Sequence, residues 1–148
     1  MIIVESICDQ RPTDQEIVAL ESCINGRLPN DYKDFLKQDN GGRPKPNKFE
    51  FATRSGKTEE STVHYFFALW DQRVGNLKKN FERYRRRLPS GFLPIGLDPF
   101  GNVIAIHIFG EKSGKIYFWD HEKESDLPSL NNMFLIANSF DEFVQHLK

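Results

Sequence analysis

The run from Phe92 to Ile106, together with Lys115 to Trp119, constrains the fold more than any other part of the chain. Phe92-Leu93-Pro94-Ile95-Gly96-Leu97 leads through Asp98-Pro99-Phe100-Gly101-Asn102 into Val103-Ile104-Ala105-Ile106, and Ile116-Tyr117-Phe118-Trp119 follows the stretch from Gly110 to Gly114. Proline and glycine in both connections suit tight reversals, so the spacing predicts three strands joined by turns and paired antiparallel. Along the middle strand, Ile104, Ile106 and Ile108 fall on one face while Val103, Ala105, His107 and Phe109 fall on the other. Ile116 and Phe118 alternate in the same way with Tyr117 and Trp119. Neither face is cleanly polar. Either helices cover both sides of the sheet, or one side carries an aromatic surface meant for a partner.

Helices are expected on both flanks of this block. Thr13-Asp14-Gln15-Glu16 has the reciprocal capping pattern, Ile17, Leu20 and Ile24 recur at helical spacing, and Gly26 is positioned to supply a left-handed stop. Pro29 suits a first helical turn, after which Tyr32, Phe35 and Leu36 share a face until Asn40-Gly41-Gly42 ends the helix. A third helix carries Leu77, Phe81, Tyr84 and Leu88 on one side and stops at Pro89. Ser139-Phe140-Asp141-Glu142 repeats the capping pattern ahead of Phe143, Val144 and Leu147. Between the second and third helices, Lys48-Phe49-Glu50-Phe51 suggests one edge strand among loops, and His64 to Leu69 reads as another strand. The reading is an α+β fold with a mostly antiparallel sheet packed with about four helices.

Composition narrows the function classes. A chain of 148 residues with 39% apolar content and 13 phenylalanines buries one substantial core, so a single domain over residues 1–148 is expected. No segment approaches the roughly 20 apolar residues that span a bilayer, and no secretory leader is legible at the N-terminus, which favours a cytoplasmic protein without membrane contact. Cys8 and Cys23 form no C-x-x-C pair and read as free thiols. A net charge of −1 gives no long-range field toward nucleic acid, so direct nucleic-acid binding is not expected. The exception is local: Lys78, Lys79, Arg83, Arg85, Arg86 and Arg87 crowd the third helix with only Glu82 among them. Long cationic stems commonly lie along the edge of an apolar stripe with their heads in water, although such a face also suits an acidic protein surface or phosphates.

Four pieces of this chain, in this order, resemble the SUKH superfamily: Leu28 to Leu36 with Asn40-Gly41-Gly42, Phe92 to Asp98 with Gly101-Asn102, Ile116 to Glu122, and Ile136 to Phe143. The resemblance implies an α+β domain found in fungal regulators of cell-wall synthesis and, in bacteria, mainly in immunity proteins that neutralise polymorphic or contact-dependent toxins, many of them nucleases. It implies no shared enzymatic site. The expectation is therefore a non-enzymatic immunity protein whose partner is a cognate toxin domain. The alternative is a regulatory protein-interaction scaffold related to the cell-wall-synthesis regulators.

The residues agree with a binding role. His107, Asp120, His121 and Glu122 form the one cluster that can be drawn as metal ligands or an acid–base pair, and they lack metal-site spacing. No G-x-S-x-G and no phosphate-binding loop occurs. Neither a cofactor, a metal nor a catalytic residue is expected. The candidate partner surface is instead Asp120, Glu122, Glu124 and Asp126, beside Tyr117 and Trp119, with Asp98 at a neighbouring turn. A nuclease must present Lys or Arg to its polyanionic substrate, so carboxylates can compete for that charge while aromatic residues anchor the contact.

Overall fold

A computed structural model describes residues 1–148. The chain runs β1 (Ile2–Glu5), α1 (Asp14–Ile24), α2 (Asn30–Gln38), β2 (Arg43–Lys45), β3 (Lys48–Ala52), β4 (Thr58–Thr62), β5 (Tyr65–Phe66) and α3 (Leu77–Tyr84). It continues with β6 (Phe92–Leu97), β7 (Val103–His107), β8 (Ile116–Trp119), β9 (Met133–Ala137) and α4 (Phe140–Gln145). Strands β5 to β9 form a five-stranded sheet in chain order, and every neighbouring pair is antiparallel. Two antiparallel pairs, β1 with β2 and β3 with β4, stand apart from it. This is the α+β architecture that the turn-linked strands and capped helices predict.

Both faces of the sheet are covered. Ile104, Ile106, Ile116 and Phe118 point into the main core, where they meet Ile17, Leu20, Tyr32, Phe35, Leu36, Phe140 and Phe143 from α1, α2 and α4. Val103, Ala105 and Trp119 point the other way, into a smaller cluster with Tyr84, Leu88, Phe92 and Met133. The helix α3 and the turn after it thus roof the outer face, and the apolar alternation on both sides of β7 has its explanation. The roof is incomplete: Tyr117 is only half-buried and Leu135, its cross-strand partner, is exposed.

Local chemistry sets the helix ends. Thr13 Oγ1 accepts from the Glu16 N–H at 3.3 Å while Glu16 Oε2 accepts from the Thr13 N–H at 2.8 Å, the reciprocal cap expected for α1. The left-handed stop falls on Asn25 (φ 51°), one residue before the glycine assigned to it, because asparagine also tolerates that conformation. Gly26 serves a different need: a Cβ there would lie 2.7 Å from Ile108 Cδ1, so its bare backbone lets the end of α1 approach the sheet. Ser139 caps α4 by accepting from the Glu142 N–H at 3.0 Å.

The middle of the chain differs from expectation. Thr58-Glu59-Glu60-Ser61-Thr62 has no apolar alternation, yet it forms β4 because β3 supplies a continuous ladder from Lys48↔Thr62 to Ala52↔Thr58. The strand expected over His64 to Leu69 contracts to Tyr65–Phe66. Beyond it the backbone is held by a buried side chain: Asn40 Nδ2 donates to the carbonyls of Leu69 and Gln10, both at 2.9 Å, and Asn40 Oδ1 accepts from the Leu69 N–H at 2.8 Å. One amide therefore ties the segment before α1, the end of α2 and the exit from β5.

Phe143 packs edge-on against Phe49 (ring centroids 5.6 Å apart) and against Phe66 (6.2 Å), so it joins α4 to the β3–β4 hairpin and the central sheet. Phe143→Ala is expected to lower unfolding free energy by about 3–5 kcal/mol, measured by urea denaturation. A midpoint unchanged from that of the unsubstituted chain would contradict this packing.

Candidate protein-binding face

The partner surface expected from the sequence lies where β8 leaves the sheet. Asp120 begins the long β8–β9 connection, and that connection is stitched at its base: the Asp120 N–H donates to the Asn132 carbonyl at 3.0 Å, and Asn132 Nδ2 donates to the Asp120 carbonyl at 2.9 Å. Asp120 Oδ1 accepts from the Glu122 N–H at 3.0 Å, capping a short turn over His121–Lys123, and Lys123 Nζ lies 3.3 Å from Asp120 Oδ2. The His121 ring and N–H both meet Asn102 Oδ1, at 2.6 and 3.0 Å. The acidic segment is therefore held by its ends and its first turn.

Glu124 is anchored as well. Arg87 donates through Nε and Nη2 to the two Glu124 carboxylate oxygens, at 2.8 and 2.9 Å, a two-point contact that fits the planar guanidinium. The guanidinium carbon also lies 5.1 Å from the ring centres of both Tyr84 and Trp119. Hydrogen bonding from Arg87 holds the Glu124 carboxyl below its ordinary value, while the same bond raises Arg87.

Two expected partner residues turn out to be structural. Trp119 is 0% exposed, packed edge-on to Tyr84 with ring centres 5.9 Å apart, so it cannot meet a partner. Alternation placed it on the outer face, but α3 covers that part of the face. Asp98 is also buried; its carboxylate accepts from the N–H groups of Phe100 and Asn102, from Asn102 Nδ2 and from Ser61 Oγ, at 2.8 to 2.9 Å. Four donors around one carboxylate describe a turn builder. Tyr117 keeps a half-exposed ring, edge-on to Phe92 at 5.1 Å. Glu122 and Asp126 are exposed, and neither makes an ion pair within the chain.

The cluster considered for metal or acid–base chemistry does not converge. β7 and β8 pair Val103 with Trp119, which puts His121 near the start of β7 and His107 at its other end. No group of three or more His, Cys, Asp or Glu side chains is placed to hold a metal ion. His107 stacks edge-on with Phe92 (4.7 Å), and burial, reinforced by Lys112, makes its imidazole harder to protonate than usual. The helix expected to run to Pro89 ends at Tyr84, so the basic run divides between α3 and the turn after it: Arg85 pairs with Glu82 at 3.0 Å and Arg87 with Glu124, while Lys78, Lys79, Arg83 and Arg86 stand in water without a carboxylate partner. No helix is long and apolar enough to cross a membrane.

Sequence reasoning missed the apolar part of this face. Leu127 and Leu130 are exposed on the β8–β9 connection, and Leu135 is exposed on β9 opposite Tyr117. The alternation of Met133 and Leu135 with Phe134 and Ile136 carried the signal for a strand here.

A turn-linked antiparallel sheet with capped helices on both faces defines an α+β domain, and its β8–β9 connection carries a braced acidic run. The family model described as the SMI1 / KNR4 family (SUKH-1) matches residues 11–146, and the chain belongs to that family. It is 34% identical over 146 residues to the SPbeta prophage-derived uncharacterized protein YokK of Bacillus subtilis (strain 168), an alignment covering 89% of this chain and 72% of that protein.

Two outcomes follow from the geometry. Trp119→Ala is expected to cost about 3–5 kcal/mol of unfolding free energy, because the substitution opens a cavity under α3, measured by chemical denaturation. Glu124→Gln should cost about 0.2–1 kcal/mol at pH 7, the range for a pair open to water. The Glu124 carboxyl is lowered in the folded chain, so its contribution is fully present above the ordinary value of 4.5 and is lost as pH falls through the lowered one. The difference between the two proteins' denaturation curves should vanish on that acid side; a difference constant from pH 7 to pH 3 would contradict the pairing.

Proposed function

We propose that this chain is a non-enzymatic, cytoplasmic immunity protein that binds a cognate toxin domain and neutralises it by covering its working surface. Membership of the SMI1 / KNR4 family supports the class, since that family is known for immunity proteins. The observation that carries the mechanism is the β8–β9 connection, whose ends and first turn are fixed by internal hydrogen bonds while Glu122 and Asp126 remain free in water. Unpaired carboxylates on a connection braced at its ends steer encounter with a positively charged partner. A nuclease toxin carries such a surface because its substrate is a polyanion. Tyr117 and Asp120 border the contact, and Glu124 takes part through its fixed position beside Arg87.

The test is co-expression with the product of the gene adjacent to that for this chain, once that product has been shown to arrest growth. Growth should be restored by the unsubstituted chain, and the two purified proteins should form a stoichiometric complex. Glu122→Lys with Asp126→Lys is expected to weaken that complex about 10- to 100-fold, chiefly through slower association, with thermal unfolding unchanged. Wild-type affinity in the double variant would remove these carboxylates from the contact. Absence of rescue by the unsubstituted chain would remove the immunity reading.

A further inference from the structure

Of the cations between Arg73 and Arg86, Arg85 alone finds a carboxylate, Glu82 at 3.0 Å. Arg73, Lys78, Lys79, Arg83 and Arg86 are exposed and make no ion pair. Helix α2 treats its lysines differently: Lys33 lies 3.4 Å from Glu21 and Lys37 lies 3.2 Å from Asp14. The unpaired cations also share one side. Leu77, Asn80 and Tyr84 are the buried residues of α3, so helical spacing turns Lys78, Lys79 and Arg83 toward water, and the turn after the helix adds Arg86.

This arrangement works against the helix that carries it. Lys78 and Lys79 occupy the first turn, where unpaired N–H groups already concentrate positive charge, and no acidic residue stands there to balance them. Lys79 and Arg83 stand one helical turn apart with like sign. Both placements cost stability, and nothing inside the chain offsets them. A local rule broken in this way marks a surface used for something other than folding. The backbone beneath is held firmly. Asn76 Oδ1 accepts from the Lys79 N–H at 2.9 Å, and Asn80 Nδ2 donates to the carbonyls of Val74 and Asn76, at 2.6 and 2.9 Å, which folds the loop carrying Arg73 against the helix. At the other end Arg87 is fixed on Glu124. Only side chains remain to be ordered when this face is covered.

We propose that this face docks an acidic segment of a protein partner, whose carboxylates meet Lys79, Arg83 and Arg86 along the helix. The proposal goes beyond the immunity reading and does not rest on it, because the free carboxylates of that reading lie on the connection that leaves β8 and call for a partner of the opposite charge. A protein segment fits this face better than a nucleic acid does. The eight residues of α3 extend about 12 Å, room for a few carboxylates. A longer phosphate backbone would run past the acidic connection, which the Arg87–Glu124 contact holds beside the helix, and would be repelled there. Phe81 is half-buried and Tyr84 buried, so the helix offers no exposed ring on which a base could stack.

The experiment is selection of a displayed random-peptide library on the purified full chain at about 150 mM salt, followed by affinity measurement on the selected peptides. Enriched sequences should be rich in Asp and Glu. Lys79→Gln with Arg83→Gln should weaken their binding tenfold or more. Arg27→Gln with Lys57→Gln, the same change in net charge placed at the end of α1 and on the β3–β4 hairpin, should leave binding within twofold. Because repulsion along α3 is relieved, the thermal midpoint of the Lys79 and Arg83 double variant should stay level or rise by about a degree. A midpoint several degrees lower would assign these cations to the fold and overturn the proposal. Enrichment of neutral or basic peptides would overturn it too, as would equal losses in the two double variants. Oligothymidylate or duplex DNA binding more tightly than the best peptide would replace the protein partner with a nucleic acid, and sedimentation showing α3 covered by a second copy of this chain would replace it with self-association; either result sinks the proposal.

Discussion

A strand with no polar side determines the arrangement of this molecule. Val103, Ile104, Ala105 and Ile106 of β7 are all 0% exposed, so the strand must be covered above and below. The main core meets one side with the apolar stripes of α1, α2 and α4. The other side takes α3, which is only long enough to cover one end of the face. Coverage of the first side is a matter of bulk. Coverage of the second is partial, and the open end of the sheet lies where it stops.

The charged residues divide along the same boundary. Near the sealed end, polar groups are used inside the fold: Asp98 builds the β6–β7 turn, and Arg87 lies over Tyr84 and Trp119 while gripping Glu124. A cation over two aromatic rings is stabilised by their faces in addition to its carboxylate, so the connection after β8 is tethered to the roof of the sheet. Farther out, Glu122 and Asp126 have no internal duty. The acidic run is thus part brace and part surface, although its residues look alike in sequence.

Much of the architecture is legible without coordinates because it rests on local signals. Thr13 and Ser139 announce helix starts through side-chain oxygens that reach three residues ahead, and the isoleucine alternation of β7 announces a strand. What escapes is whatever depends on a distant neighbour. β4 is polar and becomes a strand only because β3 offers a ladder; Trp119 belongs to an exposed or a sealed surface according to where α3 lies. Periodicity says which residues share a face, and it does not say how far a helix will extend over that face. The same gap explains why the acidic residues were visible as candidates while the leucines of the open end were not.

The Asn40 amide has a consequence for the chain's lifetime. It is followed by Gly41, a sequence that leaves the asparagine side chain open to slow hydrolysis whenever the backbone is free to bend toward it, and asparagine is among the thermolabile residues. In the folded molecule the amide is buried and engaged with Leu69 and Gln10. An unfolded molecule that ages there acquires a carboxylate facing two carbonyl oxygens, with no proton left to give them. Folding therefore shelters this amide, and exchange of its nitrogen for oxygen would leave the Leu69 and Gln10 carbonyls without their donor.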